Sequence, residues 1–335
     1  MEILAQVHAR TLVDFGARHP EVRVLTADLS NSCEAGPFRD VYRDRFIPCG
    51  ISEQNMLSIA GGLAREGFVP LVHTFGVFIY RRALDQIAMS VAYPNLPVKM
   101  FAFLPGILTP GGATHQAIED VAVMRALPNL TVLDIGDATE VEGALDVACS
   151  VPGPVYVRML RGEVPRLFPA DEPMRLDRPR VLATGTDVLV ASSSICTEEA
   201  LRATAVLRAK GVSVGHVHVS TMKPFTPARV ADAIAAARFG VVTMENHTVV
   251  GGLGTIVAEA MVECGVARPL RRLGLQDTFA HGASRAYLAR EYGMDAMALV
   301  RQVESLVGDR LGITEDDLAA VRIEAVHSAA KAEAM

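Results

Sequence analysis

The chain has 335 residues, half of them hydrophobic, and a formal net charge of −6. That length and apolar content suffice for two domains with separate cores, and they exclude a disordered or fibrous chain. Acids and bases are interspersed and form no basic stripe, which argues against nucleic acid as a partner.

The opening stretch, residues 2–18, has helical periodicity with charges throughout, so it reads as a helix and as neither a signal peptide nor a membrane anchor. Short apolar runs then alternate with helical patterns, the signature of parallel sheets wrapped by helices. Strands are predicted at 22–27, 45–50, 69–75, 98–104, 130–135 and 155–160, with helices at 53–66, 77–92, 115–127 and 138–149 between them. The segment 161–180, with four prolines and many charges, reads as a linker. The implied division is a first domain over 1–165, a link over 166–180 and a second domain over 181–335. Within the second domain, strands are predicted at 187–193, 212–219, 240–245 and 269–275, and a closing surface helix from 314 to 331. The fold class is therefore α/β, two domains, each a mainly parallel sheet flanked by helices.

The five cysteines, at 33, 49, 149, 196 and 264, never form a C-x-x-C pair and read as buried thiols of a reducing compartment. No apolar run reaches membrane-spanning length, so a cytoplasmic location is expected and no membrane is.

One short stretch raises a chemical question. In GISEQNMLSIAGG (50–62), Glu53 directly follows a candidate helix cap, Ser52. Acids are common in a first helical turn because the helix dipole favours them, and on that reading Glu53 has no chemistry. Three other segments, TADLS (26–30), HTFGVF (73–78) and TPGGATHQ (109–116), lie at or just beyond predicted strand ends, where open α/β sheets place ligands. Together with Glu53 they resemble the pyrimidine-binding domain of the transketolase family of thiamine diphosphate enzymes. VSTMKPF (219–225) and ENHTVVGGLG (245–254) extend the resemblance through the transketolase C-terminal domain.

The resemblance implies roles for particular residues. Glu53 is then the carboxyl group that hydrogen-bonds a ring nitrogen of the cofactor's aminopyrimidine and drives it to the imino form that takes the thiazolium proton. The small residues after it, Ser58 and Gly61, let that helix approach its neighbour. Phe75 and Phe78 match the aromatic wall behind the aminopyrimidine, although Phe78 also reads as a core residue. Arg81, one turn later, stands where some members place another ring and could stack there. Asp28 lines the cofactor pocket by resemblance, or makes an Asx turn. His115 matches the histidine that contacts the substrate's reacting carbonyl or hydroxyl and shuttles protons, with Gln116 supporting it by hydrogen bonding. Arg161 resembles the arginine that binds a substrate phosphate, or is a solvated linker residue; Arg158 is the weaker candidate. His247 and His281 read as structural or interface residues, and the glycines of 250–255 as close-approach positions rather than a phosphate loop.

Family members hold the cofactor diphosphate through a divalent cation and a Gly-Asp-Gly sequence, which does not occur in these 335 residues. No metal ligand is therefore assigned here, and Mg²⁺ is expected on another polypeptide. The chain resembles the second half of a split transketolase, needing an N-terminal, diphosphate-binding subunit in a two-plus-two heterotetramer. The implied reaction moves a two-carbon ketol unit from a ketose donor, expected to be a sugar phosphate, to an aldose acceptor. Phe103 and Gly111 replace a histidine and an acid usual in transketolases, which points to a modified or specialised sugar. Alternatives are the β subunit of a 2-oxo acid dehydrogenase first component, a deoxyxylulose-phosphate-synthase-like enzyme, and, of another class, a non-catalytic interaction subunit.

Overall fold

The computed structural model describes residues 2–321. In chain order its strands are β1 (Ile3–Ala5), β2 (Val22–Thr26), β3 (Phe46–Pro48), β4 (Val69–Phe75), β5 (Lys99–Phe103), β6 (Thr131–Asp134), β7 (Val155–Met159), β8 (Glu163–Pro165), β9 (Arg180–Ala183), β10 (Val188–Ser192), β11 (Val214–His218), β12 (Thr221–Lys223), β13 (Gly240–Thr248) and β14 (Leu270–Leu275). The fold is two-domain α/β with mainly parallel sheets. A seven-stranded sheet has the order β12-β6-β7-β5-β4-β2-β3 and a five-stranded sheet the order β14-β13-β10-β11-β9. Within these two sheets, among the described residues, only β12 on β6 and β9 on β11 run antiparallel. The near-continuous apolar runs of β5 and β7 suit strands covered on both faces, and every residue of both is buried.

The structure corrects the sequence reading in four places. Residues 3–5 are strand, not helix: they pair antiparallel with β8, and the helix Val7–Arg18 starts after Gln6 turns the chain at φ 50°. The linker segment is thus partly a paired strand. The predicted helix over 115–127 begins only at Asp120, because Ala117 bridges to Pro105 in an extended conformation. The 77–92 helix is α over Gly76–Gln86 and then widens to a π turn over Ile87–Ala92. Finally, β12 carries no sequence signal of its own, and it joins the first sheet although it lies between strands of the second. Of the terminal helix predicted over 314–331, Glu315–Ala320 is helical and the remainder lies outside the described residues. Cys33 and Cys196 are buried as expected, whereas Cys264 is exposed. No described helix is long and apolar enough to cross a membrane.

The two sheets are joined through buried polar groups. Arg158, on β7 and fully buried, donates to Asp120 Oδ2 at 2.9 Å, Asp134 Oδ1 at 3.0 Å and the carbonyl of Asn246, in β13, at 2.8 Å. It is thus a structural cation and no candidate for a substrate phosphate. Glu140 makes a second joint: burial opposes its ionisation, but His218 at 3.1 Å, the Ser220 hydroxyl at 2.6 Å and the Gly136 N–H at 2.9 Å outweigh that and hold the carboxyl at about 2.

Several histidines are buried uncharged. His73 donates from Nδ1 to the Leu71 carbonyl (3.1 Å) and accepts at Nε2 from His8 (2.9 Å). Burial lowers His73 and His247 to about 4 and His216 to about 3; His8 is lowered by burial and by His73 beside it. Such a group takes no proton when folded but does when unfolded, so its stabilisation is complete above about 6.5 and is lost as pH falls toward 4. The unfolding free energy is expected to drop between pH 7 and pH 5 by about 2 kcal/mol per such histidine, measured by denaturant titration. A stability unchanged across that interval contradicts the assignment.

Candidate active site

The candidate site is built from the segments that follow β3, β4, β5 and β7 at their C-terminal ends. Glu53 is the first residue of the helix Glu53–Arg65. A residue there that merely complements the helix dipole would face water, yet the Glu53 side chain is only 2% exposed. The Ser52 hydroxyl does not cap the helix; it donates to the Cys49 carbonyl at 2.6 Å. The helix can sit this deep because of Gly61, where a Cβ would lie 2.5 Å from the Ser90 carbonyl oxygen of the π turn.

Phe75 ends β4 and Phe78 lies in the next helix, with ring centroids 5.8 Å apart and planes inclined by 26°. The His115 ring stands edge-on to both, 5.5 Å from Phe78 and 6.5 Å from Phe75. Its Nδ1 lies 2.9 Å from the Thr114 hydroxyl, so Nε2 is the nitrogen left to face a ligand. Arg161 approaches Phe75, its guanidinium carbon 6.0 Å from the ring centroid, while Nη1 donates to the Ser32 carbonyl at 3.0 Å. Phe75, Phe78, His115 and Arg161 thus form one group, and Glu53 is joined to it by a residue that sequence reasoning missed. Arg82 donates to Glu53 Oε1 at 2.8 Å while its guanidinium lies 4.0 Å from the Phe78 centroid. The signal was present: residues 78 and 82 are one helical turn apart and share a face.

Two expected residues sit elsewhere. Arg81 does not stack in the pocket. It pairs with both carboxylate oxygens of Glu119 (2.8 and 2.9 Å), donates to the Ala113 carbonyl (2.8 Å), and has Phe279 beside it at 5.8 Å. Gln116 does not hydrogen-bond His115; its fully buried amide donates to the carbonyls of Thr109 (3.3 Å) and His281 (3.4 Å). Arg81 therefore ties residues 113–119 to the helix Gly76–Gln86, and Gln116 ties the same loop to the second domain. Asp28 is exposed at the end of β2 with φ 61°, a conformation Asp tolerates through its short polar side chain.

The two departures from the transketolase pattern also acquire reasons. The Phe103 ring is fully buried and packs on His8 at 5.4 Å and His73 at 6.1 Å. A Cβ on Gly111 would lie 3.0 Å from the His115 ring, so a larger residue there requires the histidine to shift by a few tenths of an ångström. Asn246 holds the base of the same loop, accepting from Ile107 N–H and donating to the Pro105 carbonyl, each at 2.9 Å. The neighbouring glycines accommodate an internal anion: Glu245 accepts from Leu253 N–H (2.6 Å) and Gly254 N–H (2.9 Å), and a Cβ on Gly252 would lie 1.9 Å from its carboxylate. Burial pushes Glu245 up to about 7 despite those two bonds. Among the described residues no three His, Cys, Asp or Glu side chains gather as a metal site.

Residues 4–166 match the family model for the transketolase pyrimidine binding domain, and residues 178–299 that for the transketolase C-terminal domain. A putative uncharacterized transketolase family protein of Sinorhizobium fredii is 40% identical over 283 residues, 84% of this chain and 82% of its own. The chain belongs to the transketolase family. It is 35% identical to a 6-deoxy-6-sulfo-D-fructose transketolase subunit of a Clostridium species, over 89% of this chain and 92% of that one. Among solved structures, a split gene transketolase in the form of an inactive β4 tetramer superposes with a TM-score of 0.82 at 36% identity, covering 90% of this chain and 97% of the other.

In this transketolase-family chain Arg81 is a positioning residue, with a direct test. Arg81→Ala is expected to raise hydrogen-exchange rates across residues 111–119 by about tenfold or more while the global melting temperature changes little. Arg81→Lys, lacking the planar fork, should restore protection only in part. Unchanged exchange in Arg81→Ala removes the clamp.

Proposed function

We propose that the chain is the pyrimidine-binding and C-terminal subunit of a two-chain thiamine diphosphate-dependent transketolase, transferring a two-carbon ketol unit from a ketose phosphate to an aldose in the cytoplasm. Transketolase-family enzymes use thiamine diphosphate, and when bound it supplies a nucleophilic carbon that accepts the ketol unit. The observation that carries the reading is Glu53, a buried carboxylate linked through Arg82 to the Phe78 ring, where a surface acid was the ordinary expectation.

The residues present fit the aminopyrimidine. Glu53 would hold the ring nitrogen through a charge-assisted hydrogen bond. Phe75 and Phe78 supply an apolar wall that excludes water. His115, oriented by Thr114, offers Nε2 to the substrate's carbonyl or hydroxyl oxygen and moves a proton there. Gln116 acts by fixing the loop that carries His115, and Arg161, whose Nη1 donates to the Ser32 carbonyl, binds the donor phosphate. The diphosphate has no evident holder among the described residues: the sequence has no Gly-Asp-Gly, and the glycine-rich helix start at 252–254 is filled by Glu245. The diphosphate and Mg²⁺ are therefore assigned to an N-terminal subunit, in a two-plus-two assembly. The structural relative that is an inactive β4 tetramer supports a chain that needs such a partner. The sulfofructose transketolase relative, with the buried Phe103 and Gly111 beside His115, supports a modified sugar as donor.

Assayed alone with thiamine diphosphate, Mg²⁺ and a ketose phosphate, the chain is expected to show no turnover, and to gain it on adding the diphosphate-binding subunit. Turnover without a partner defeats the split-enzyme reading. In the reconstituted enzyme Glu53→Gln is expected to lower kcat by about 10²-fold or more. Intact turnover in that variant defeats the role given to Glu53.

A further inference from the structure

The face of Phe78 beside Glu53 is covered by the chain itself. The Arg82 guanidinium lies 4.0 Å from the Phe78 centroid and donates to Glu53 Oε1 at 2.8 Å. A guanidinium is a flat N–C–N unit with N–H donors on its rim. Stacked on an aromatic face and bonded to a carboxylate, it makes the two contacts that a flat amino-substituted pyrimidine makes with a wall and an acid. The two partners differ in freedom. Glu53 is held at 2% exposure, while the Arg82 side chain is 44% exposed and can rotate into solvent without unpacking the helix that carries it. A purely structural pairing of the two helices is not required, since the close approach at Gly61 already seats Glu53–Arg65 against the segment that continues Gly76–Gln86.

We propose that Arg82 is a self-ligand: in the chain on its own it occupies the aminopyrimidine position and neutralises Glu53, and entry of the cofactor ring displaces it. This rests on the reading of the pocket given under Proposed function. The pair has two consequences. It spares the unloaded chain an uncompensated buried carboxylate, which is strongly destabilising. It also sets the strength of the Glu53–Arg82 contact against cofactor binding, because the ring must replace that contact before gaining its own.

The test uses the full chain and small flat probes. Arg82→Ala should melt below the wild type, and millimolar methylguanidinium or 4-amino-2-methylpyrimidine should raise its melting temperature by about 1–2 °C, as expected for a ligand near tenfold over its dissociation constant. Wild type, whose site is filled, should not respond, and adding Glu53→Gln to Arg82→Ala should abolish the response. Urea, flat but uncharged, is the control at equal concentration. Arg82→Gln, which keeps part of the stem, serves if Arg82→Ala does not fold and should respond in the same direction. Equal responses in wild type and variant, or a folded variant that ignores both probes, overturn the proposal. If the wild-type two-chain complex binds thiamine diphosphate while the variant chain ignores the probes, only the displacement is wrong. If that complex does not bind the cofactor, the pocket reading falls and the displacement with it.

Discussion

Arg158 is the contact on which the arrangement of the molecule depends. A fully buried guanidinium is tolerable only when its charge and its donors are matched, and here two aspartates and two backbone carbonyls match them. Asp120 opens a helix, Asp134 ends β6, and the Asn246 carbonyl belongs to the second domain, so one side chain fixes three elements from two sheets. The Asn246 side chain then grips Pro105 and Ile107, at the start of the loop that carries His115. The position of a candidate catalytic histidine is thereby set by a cation buried in the seam between domains. Removing such a cation leaves two buried carboxylates without their counter-charge, a far larger disturbance than losing a surface ion pair.

Electrostatics in the candidate site follow a different logic. The seam is a closed network, with donors and acceptors from several elements converging on each charge. At Glu53 a buried carboxylate instead meets a half-exposed arginine, one partner fixed and the other free to move. Surface pairs of this kind contribute little to stability on average, whereas a pair with one buried member prevents a large cost. A site that must exchange its counter-charge for a ligand suits the second arrangement, and the helix register that places Arg82 over Phe78 provides it.

Much of this was legible in the sequence because the physical signals are local. The continuous apolar runs of the parallel strands, the glycine pair after Glu53 and the absence of Gly-Asp-Gly can each be read without a structure. What was not legible depended on distant partners. Residues 3–5 look helical until β8 provides a strand to pair with, and 115–119 look helical until Ala117 meets Pro105. Arg81 and Arg82 are adjacent in sequence and face different sides of one helix, so a rotation of about 100° moves the stacking expected of Arg81 to Arg82. The same holds for Phe103, which reads as a replaced polar contact and proves to be a ring packed between two histidines.

β12 has a further consequence. Three residues from beyond β11 close the open side of β6, so the first sheet is finished only when chain from the second half arrives. A polypeptide cut after the first half would leave β6 with an unsatisfied row of amides and carbonyls, a template for pairing with any other exposed strand. During synthesis, too, the amino-terminal sheet must wait for some sixty further residues after β7 before its last edge is sealed. The two halves are thus stitched by exchange of backbone as well as by contact, and for this chain the practical unit of folding, and of any engineered fragment, spans both.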